Sequence, residues 1–191
     1  MKTAREICPT WEVTPEHRAA VNAIFEWCMD IPGKLDLSKG LWMWGNNGTG
    51  KTTLLRIVKE FCRKIRKRDS RGDIYGFRIV NVPELCGIYE SKGRKGIEEY
   101  IVNSRQAFDE LGAEETLTGH FGTPLNVMQY ILMGRYDRRF GGVTHVTTNL
   151  TLEDVKARYG DRIYDRCKEM FNIVYLGGKT CREKPYGWTT N

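Results

Sequence analysis

The stretch Gly45-Asn46-Asn47-Gly48-Thr49-Gly50-Lys51-Thr52 most constrains what this chain of 191 residues can fold into. It matches the pattern of glycine, any four residues, glycine, lysine and then serine or threonine. Glycines let consecutive backbone N–H groups curve around phosphate oxygens without a Cβ in the way, and a helix that starts at the lysine directs its positive end at the same anion. The residues predicted to bind a nucleoside triphosphate are Gly45, Asn46, Asn47, Gly48, Thr49, Gly50, Lys51, Thr52 and Thr53.

The flanking sequence supports this interpretation. The short run Gly-Leu-Trp-Met-Trp at 40–44 is typical of a buried strand, and residues 51–67 carry apolar side chains at helical spacing. The motif therefore lies between a strand and an amphipathic helix, which is the context it requires. Within it, Lys51 is predicted to place its charge on the β- and γ-phosphates of ATP, and the Thr52 hydroxyl to ligate Mg²⁺.

Strands and helices alternate along the rest of the chain. Strands are predicted at 77–82, up to Asp109, at 143–149 and at 171–176, and helices at 14–29, from Pro83, at 126–136, at 152–159 and at 161–170. This order predicts an α/β fold with a parallel five-stranded sheet flanked by helices. We divide the chain into an N-terminal arm with one helix (1–36), a core (37–182) and a C-terminal tail (183–191).

Composition excludes several classes of protein. The hydrophobic fraction of 40% and the charged fraction of 28% are those of a globular chain, and no apolar run is long enough to span a membrane. The six cysteines form no close pair, which argues against a zinc cluster or a disulfide framework and favours reduced thiols. The N-terminus lacks the apolar segment of a secretory signal, so we expect a cytoplasmic protein.

An acidic pair follows the third predicted strand. Asp109 comes directly after Gln106-Ala107-Phe108, and Glu110 follows it. An aspartate at this position can hold Mg²⁺, and a neighbouring glutamate can polarise the attacking water. The alternative is that Asp109 and Glu110 form only a charged turn between a strand and a helix. Because the phosphate motif precedes them in the chain, we favour the catalytic interpretation.

Several motifs then occur in one order: GNNGTGKT, FDELG, THVTTNL and YGDRIYDRCKEMFNIVYLGGKTCR. In this order and wording the chain resembles the DnaC/IstB-type AAA+ ATPases, which are bacterial and phage helicase loaders and transposition helper ATPases. The resemblance covers residues 40–182 and implies a P-loop NTPase fold of AAA+ type without a separate helical lid domain.

The resemblance also implies roles for individual residues. Asn149, after Thr148, matches the polar sensor 1 residue that orients water near the γ-phosphate, and Asn81 matches a residue that tethers the catalytic glutamate. Arg166 resembles the arginine finger that one subunit donates to its neighbour's ATP, with Arg162 as the alternative. Arg182 occupies the position of a family arginine, although Thr180 and Cys181 depart from the family pattern there.

A basic segment covers residues 59–71 and contains seven Lys or Arg against two acidic residues. Such a cluster can follow a phosphate backbone, or can be a solvated helix end. With the family resemblance, it predicts contact with single-stranded DNA.

These observations predict an ATPase that binds single-stranded DNA, self-associates in an ATP-dependent way and loads or activates a replicative helicase. An IstB-like helper of a transposase is the alternative within the same family. A small-molecule P-loop kinase, or a nucleotide-gated binding module with little turnover, are alternatives from other classes.

Overall fold

The computed structural model describes residues 2–69, 72–103, 105–139 and 143–178. In chain order the elements are α1 (Lys2–Ile7), α2 (Pro15–Cys28), β1 (Gly40–Trp44), α3 (Lys51–Lys64), β2 (Arg78–Asn81), α4 (Val82–Ile97), α5 (Glu99–Val102), β3 (Gln106–Leu111), β4 (Thr118–His120), β5 (Thr123–Leu125), α6 (Val127–Asp137), β6 (Thr144–Thr148), α7 (Leu152–Tyr159), α8 (Asp161–Met170) and β7 (Phe171–Tyr175).

Five of the strands form one parallel sheet in the order β2-β3-β6-β1-β7, so the predicted fold class is confirmed. Strand β1 lies inside the sheet, with Trp44 opposite Thr148 of β6 and Tyr175 of β7. Helices connect the parallel strands, as such crossovers require. The order of strands therefore brings the carboxyl ends of β1, β3 and β6 together at one edge, where ligands bind in open α/β sheets.

The side chains of β1 supply both faces of the core. Leu41 and Met43 pack with the helices α2 and α3 on one side, and Trp42 packs with residues of α4, α6 and α8 on the other. A strand alternates its side chains between the two faces of a sheet, so a strand covered on both faces must be apolar throughout. This explains why the run before the phosphate motif has no polar residue.

Some element boundaries differ from those predicted. Helix α3 ends at Lys64 instead of 67, because Arg66 has a left-handed backbone with φ of 53°. Strand β3 continues past Asp109 to Leu111, with an irregular register between Phe108 and Leu111. The antiparallel β4–β5 hairpin and the short helix α5 were not predicted.

Residues 1–36 contain two helices, whereas one was expected. The additional helix α1 packs against α3, and its Ala4 is buried. Helix α2 is part of the main core, since Ile24 and Trp27 are buried with residues of β1 and α3. Helix α1 has only six residues, which is too short for its periodicity to predict a helix. Its contact with α3 stabilises it instead.

No helix in the described part of the chain has the length and apolar character needed to cross a membrane. The described cysteines, Cys8, Cys28, Cys62, Cys86 and Cys167, are free thiols. Cys181, Arg182 and the predicted tail 183–191 lie outside the described residues.

Candidate nucleotide site

The phosphate loop joins β1 to α3 at the carboxyl edge of the sheet. Gly50 caps α3 in the left-handed conformation, with φ of 84°. At Gly45 a Cβ would lie 2.1 Å from the Leu176 carbonyl oxygen, so no larger residue fits between β1 and the end of β7. The loop therefore needs glycine at these two positions for different reasons, one conformational and one steric.

The Lys51 ammonium lies inside the curve of this loop. Its Nζ donates to the carbonyl oxygens of Gly45 at 2.8 Å and Asn46 at 2.7 Å, and the residue is buried. The Thr49 hydroxyl donates to the same Asn46 carbonyl at 3.0 Å and closes the turn. A buried cation next to the N-terminus of α3 is the charge that a triphosphate needs.

Asp109 and Thr52, the two residues predicted to ligate Mg²⁺, lie within hydrogen-bond distance of each other beside the loop. The Thr52 hydroxyl donates to Asp109 Oδ1 at 3.0 Å, and Asp109 is buried. Hydroxyl and carboxylate oxygens are the hard ligands that Mg²⁺ selects, so these two residues fit that ion. The cradle formed by the loop and Lys51 likewise fits the phosphates of ATP.

Thr147 belongs to the same group, although sequence analysis did not single it out. Its hydroxyl donates to Asp109 Oδ1, and its Oγ1 accepts the Glu110 backbone N–H at 3.0 Å. Thr147 thus fixes both acidic residues from the neighbouring strand β6. The available signal was the two-residue period of a strand, which places Thr147 on the same face as Asn149.

Glu110 is hydrogen-bonded to Asn81 of the neighbouring strand β2. Its backbone is left-handed, with φ of 63°, and its Oε2 accepts a hydrogen bond of 2.9 Å from Asn81 Nδ2. Asn81 ends β2 directly opposite Asp109 in the register of β3. The expected contact between Asn81 and Glu110 is therefore present.

The carboxyl end of β6 completes this side of the site. Thr148 donates its hydroxyl to the Leu111 carbonyl at 2.6 Å and accepts the Leu150 N–H at 3.0 Å, so it holds the turn together. Asn149 is exposed and lines the cleft beside Glu110. Its role as sensor 1 remains a prediction.

A cleft of about 210 Å³ connects these residues, and part of its lining comes from the N-terminal segment. Cys8, Thr10 and Trp11 line it together with the phosphate loop, Glu110 and Asn149. Sequence analysis gave this segment no role in the site, because no motif marks it and only its packing places it there.

The two candidate finger arginines lie on α8 and do not line this cleft. The Arg166 guanidinium stacks 4.2 Å from the centre of the Tyr136 ring, and its Nη1 donates to Met133 Sδ at 2.9 Å. Arg162 is exposed, and its side chain makes no hydrogen bond or ion pair with the described part of the chain. Asp161 and Asp165, their possible partners in sequence, pair with Lys156 and Lys168.

The basic segment is partly used within the fold. Lys67 is buried, donates to the Trp27 carbonyl at 3.1 Å and pairs with Asp30, while Lys64 pairs with Glu6. The Lys67 ammonium is thus enclosed by the protein and is not available to a phosphate backbone. Arg66 and Arg68 remain exposed at the helix end.

No protein-family model matches the sequence, and no curated protein is detectably similar to it. Solved structures do match. The DnaC helicase loader is 18% identical, with a TM-score of 0.63 over 88% of this chain and 94% of that one. DnaI is 22% identical, with a TM-score of 0.64 over 93% of each chain. AMPPCP-bound DnaA from Aquifex aeolicus is 15% identical, with a TM-score of 0.56 over 86% of this chain and 48% of that one. The chain therefore shares the fold of the DnaC helicase loader and DnaI, a parallel five-stranded sheet flanked by helices with the phosphate loop between β1 and α3.

Proposed function

We propose that this protein is a Mg²⁺-dependent ATPase that binds single-stranded DNA and loads or activates a replicative helicase. The observation that carries the proposal is the group formed by Lys51, Thr52 and Asp109 around the phosphate loop, with Glu110 beside it. This group contains a cation for the phosphates, two oxygen ligands for a metal and a carboxylate for water.

The geometry supports a separate role for each of these residues. Lys51 and the loop N–H groups bind and orient the triphosphate, and Thr52 and Asp109 would hold Mg²⁺, which neutralises charge that develops on the phosphate oxygens. Thr147 keeps Asp109 in place through its hydroxyl. Glu110, which lines the cleft, accepts a proton from the attacking water once its carboxylate is released from Asn81.

The DNA and the partner protein are proposed from the similar structures. One of them is a helicase loader, and a DnaA that shares 13% identity with this chain was solved with AMPPCP and single-stranded DNA. A transposase instead of a helicase is the alternative partner within the same family.

The decisive experiment measures phosphate release from ATP with and without single-stranded DNA, for the native protein and for Glu110→Gln. We expect DNA-stimulated turnover in the native protein. The variant should bind a fluorescent ATP analogue with native affinity but turn over about a hundredfold more slowly or worse, since only water activation is lost. Lys51→Ala, which removes the phosphate cation, should lose binding as well.

Other outcomes would favour other functions. Transfer of the γ-phosphate to an added nucleoside would indicate a small-molecule kinase. Tight ATP binding without turnover under any condition would indicate a nucleotide-gated binding module. Equal loss of binding and turnover in Glu110→Gln would mean that Glu110 supports the architecture of the site.

A further inference from the structure

The β4–β5 hairpin lies between β3 and α6 in chain order. Strand β3 carries Asp109 and Glu110. His120 pairs with Thr123 across the hairpin, so the connecting loop has only two residues, Phe121 and Gly122. Both have positive φ, 45° and 79°. This is the signature of a type I′ turn.

Phe121 is an unfavourable residue for this turn. The first central position of a type I′ turn favours Asn, Asp or Gly, because a bulky side chain in the left-handed conformation crowds the backbone. The Phe121 side chain also gains nothing from burial, since the residue is 96% exposed. Its ring lies 4.6 Å from the His120 ring, edge to face. Neither the backbone nor the core explains a phenylalanine here, which makes its ring a candidate contact surface for a ligand.

The hairpin itself is firmly attached to α4. His120 Nδ1 donates to the Glu90 carbonyl at 2.8 Å, and the Tyr89 hydroxyl donates to the Thr123 carbonyl at 3.2 Å. The His120 ring occupies the space next to Gly93, where a Cβ would lie 2.7 Å from it. Phe121 is thus presented from a fixed position beside the break that Gly93 introduces into α4.

Cations surround that break. Lys92, Arg94 and Lys95 are exposed within one turn of Gly93. The exposed acidic residues of the same stretch are Glu90, Glu98 and Glu99, of which Glu99 pairs with Arg78. The Arg94 guanidinium also lies 5.5 Å from the centre of the partly exposed Tyr130 ring. Proteins that bind single-stranded nucleic acids use exposed aromatic rings next to cations, because bases stack on the rings and phosphates pair with the cations.

We propose that Phe121 is a base-stacking residue for single-stranded DNA and that Lys92, Arg94 and Lys95 contact the DNA backbone beside it. The inference rests on the proposed function, because it assigns the DNA site that this function requires. It places that site at the hairpin tip and the α4 break, and not on the basic segment 59–71.

The test uses Phe121→Asn, because asparagine is the residue that the turn prefers. This variant should melt at the same temperature as the native protein or higher, so a loss of binding cannot be attributed to unfolding. Anisotropy of a short fluorescein-labelled oligothymidine, measured with a non-hydrolysable ATP analogue, should show binding weakened about tenfold, the scale of one lost base stack. Phe121→Trp should bind within about threefold of the native protein, because it keeps the stacking surface.

Two further variants complete the design. Leu117→Asn changes another exposed apolar residue, 60% exposed, in the segment before β4, and should leave binding unchanged. The double variant Lys92→Glu and Lys95→Glu should weaken binding and flatten its salt dependence, since fewer counterions are released.

Native affinity in Phe121→Asn would overturn the proposal, while the DNA-binding part of the proposed function would stand. An equal loss in Leu117→Asn would overturn it too, since general apolar exposure would then explain the effect. Failure of the native protein to bind the oligonucleotide would overturn the proposed DNA-binding function, and this inference with it.

Discussion

Glu110 lies in the candidate site, but a hydrogen bond from Asn81 occupies its carboxylate. Its left-handed backbone at the irregular point of β3 and its hydrogen bond to Asn81 turn the carboxylate toward β2. A hydrogen bond to a charged group contributes about 1.5–3 kcal/mol at most at an exposed position such as this one, and breaking it would add to the barrier of the proposed ATPase reaction by no more than that. In the proposed ATPase, Asn81 would then set the basal rate.

Asn81→Ala should therefore raise turnover in the absence of DNA, by about tenfold if some 1.4 kcal/mol of tethering is removed. The DNA-stimulated maximum should change little. Steady-state phosphate release measures both, and the double variant with Glu110→Gln should be inactive, which would assign the gain to Glu110. A lower basal rate in Asn81→Ala would instead show that Asn81 holds Glu110 in its working position.

At the scale of elements, His145 joins two strands to the segment that leads into β2. The Leu41 N–H of β1 donates to His145 Nδ1 at 3.1 Å, so the proton is on Nε2 and is donated to the Tyr75 hydroxyl at 2.8 Å. Complete burial, with a smaller contribution from the charge of Arg135, lowers the pKa of His145 to about 3. The ring is neutral in the folded protein at any pH near neutrality.

This predicts a specific loss of stability in acid. Above about pH 6.5 the folded and unfolded states are both neutral at His145, so its contribution is fully present. Below that pH the unfolded chain takes up a proton that the folded protein cannot, and stability is lost until pH falls to about 3. Between pH 7 and about pH 5 the loss should be about 2 kcal/mol from this group alone.

Urea denaturation at the two pH values checks this prediction. His145→Asn is less stable at neutral pH but has no titrating ring, so its free energy of unfolding should fall less on acidification than that of the native protein. Equal losses in both proteins would mean that other groups govern the acid sensitivity.

At the scale of the whole molecule, neither candidate finger arginine reaches the cleft of its own chain. Arg166 is engaged with Tyr136 and Met133 on the surface between α6 and α8, whereas Arg162 is exposed on α8. An arginine that acts on ATP from this helix would have to serve the cleft of a neighbouring subunit. We expect self-association in the presence of ATP, and turnover per subunit that rises with protein concentration.

Mixing experiments identify the arginine. Each of Arg162→Ala and Arg166→Ala is combined with Lys51→Ala protein, which has an intact α8 but a defective phosphate loop. The true finger variant should be slower than the native protein by orders of magnitude when alone and should regain activity in the mixture, because one intact composite site can form. Turnover that does not depend on concentration, with no rescue in either mixture, would leave both arginines with structural roles only.

The sequence by itself determined the strand–loop–helix around Lys51 and the five-stranded parallel sheet, because local motif and periodicity carry that information. It also marked Asp109, Glu110 and Asn149 as candidate site residues, although β3 continues past the acidic pair to Leu111. Contacts distant in sequence were decided only by the tertiary structure: Thr147 on Asp109, Trp11 beside the phosphate loop and the burial of Lys67. The β4–β5 hairpin with Phe121 was also decided by the tertiary structure. Strands of three residues show too little periodicity to be predicted, and packing on α4 stabilises them. Periodicity reports which face of an element is buried, but only the packed fold determines what that face contacts.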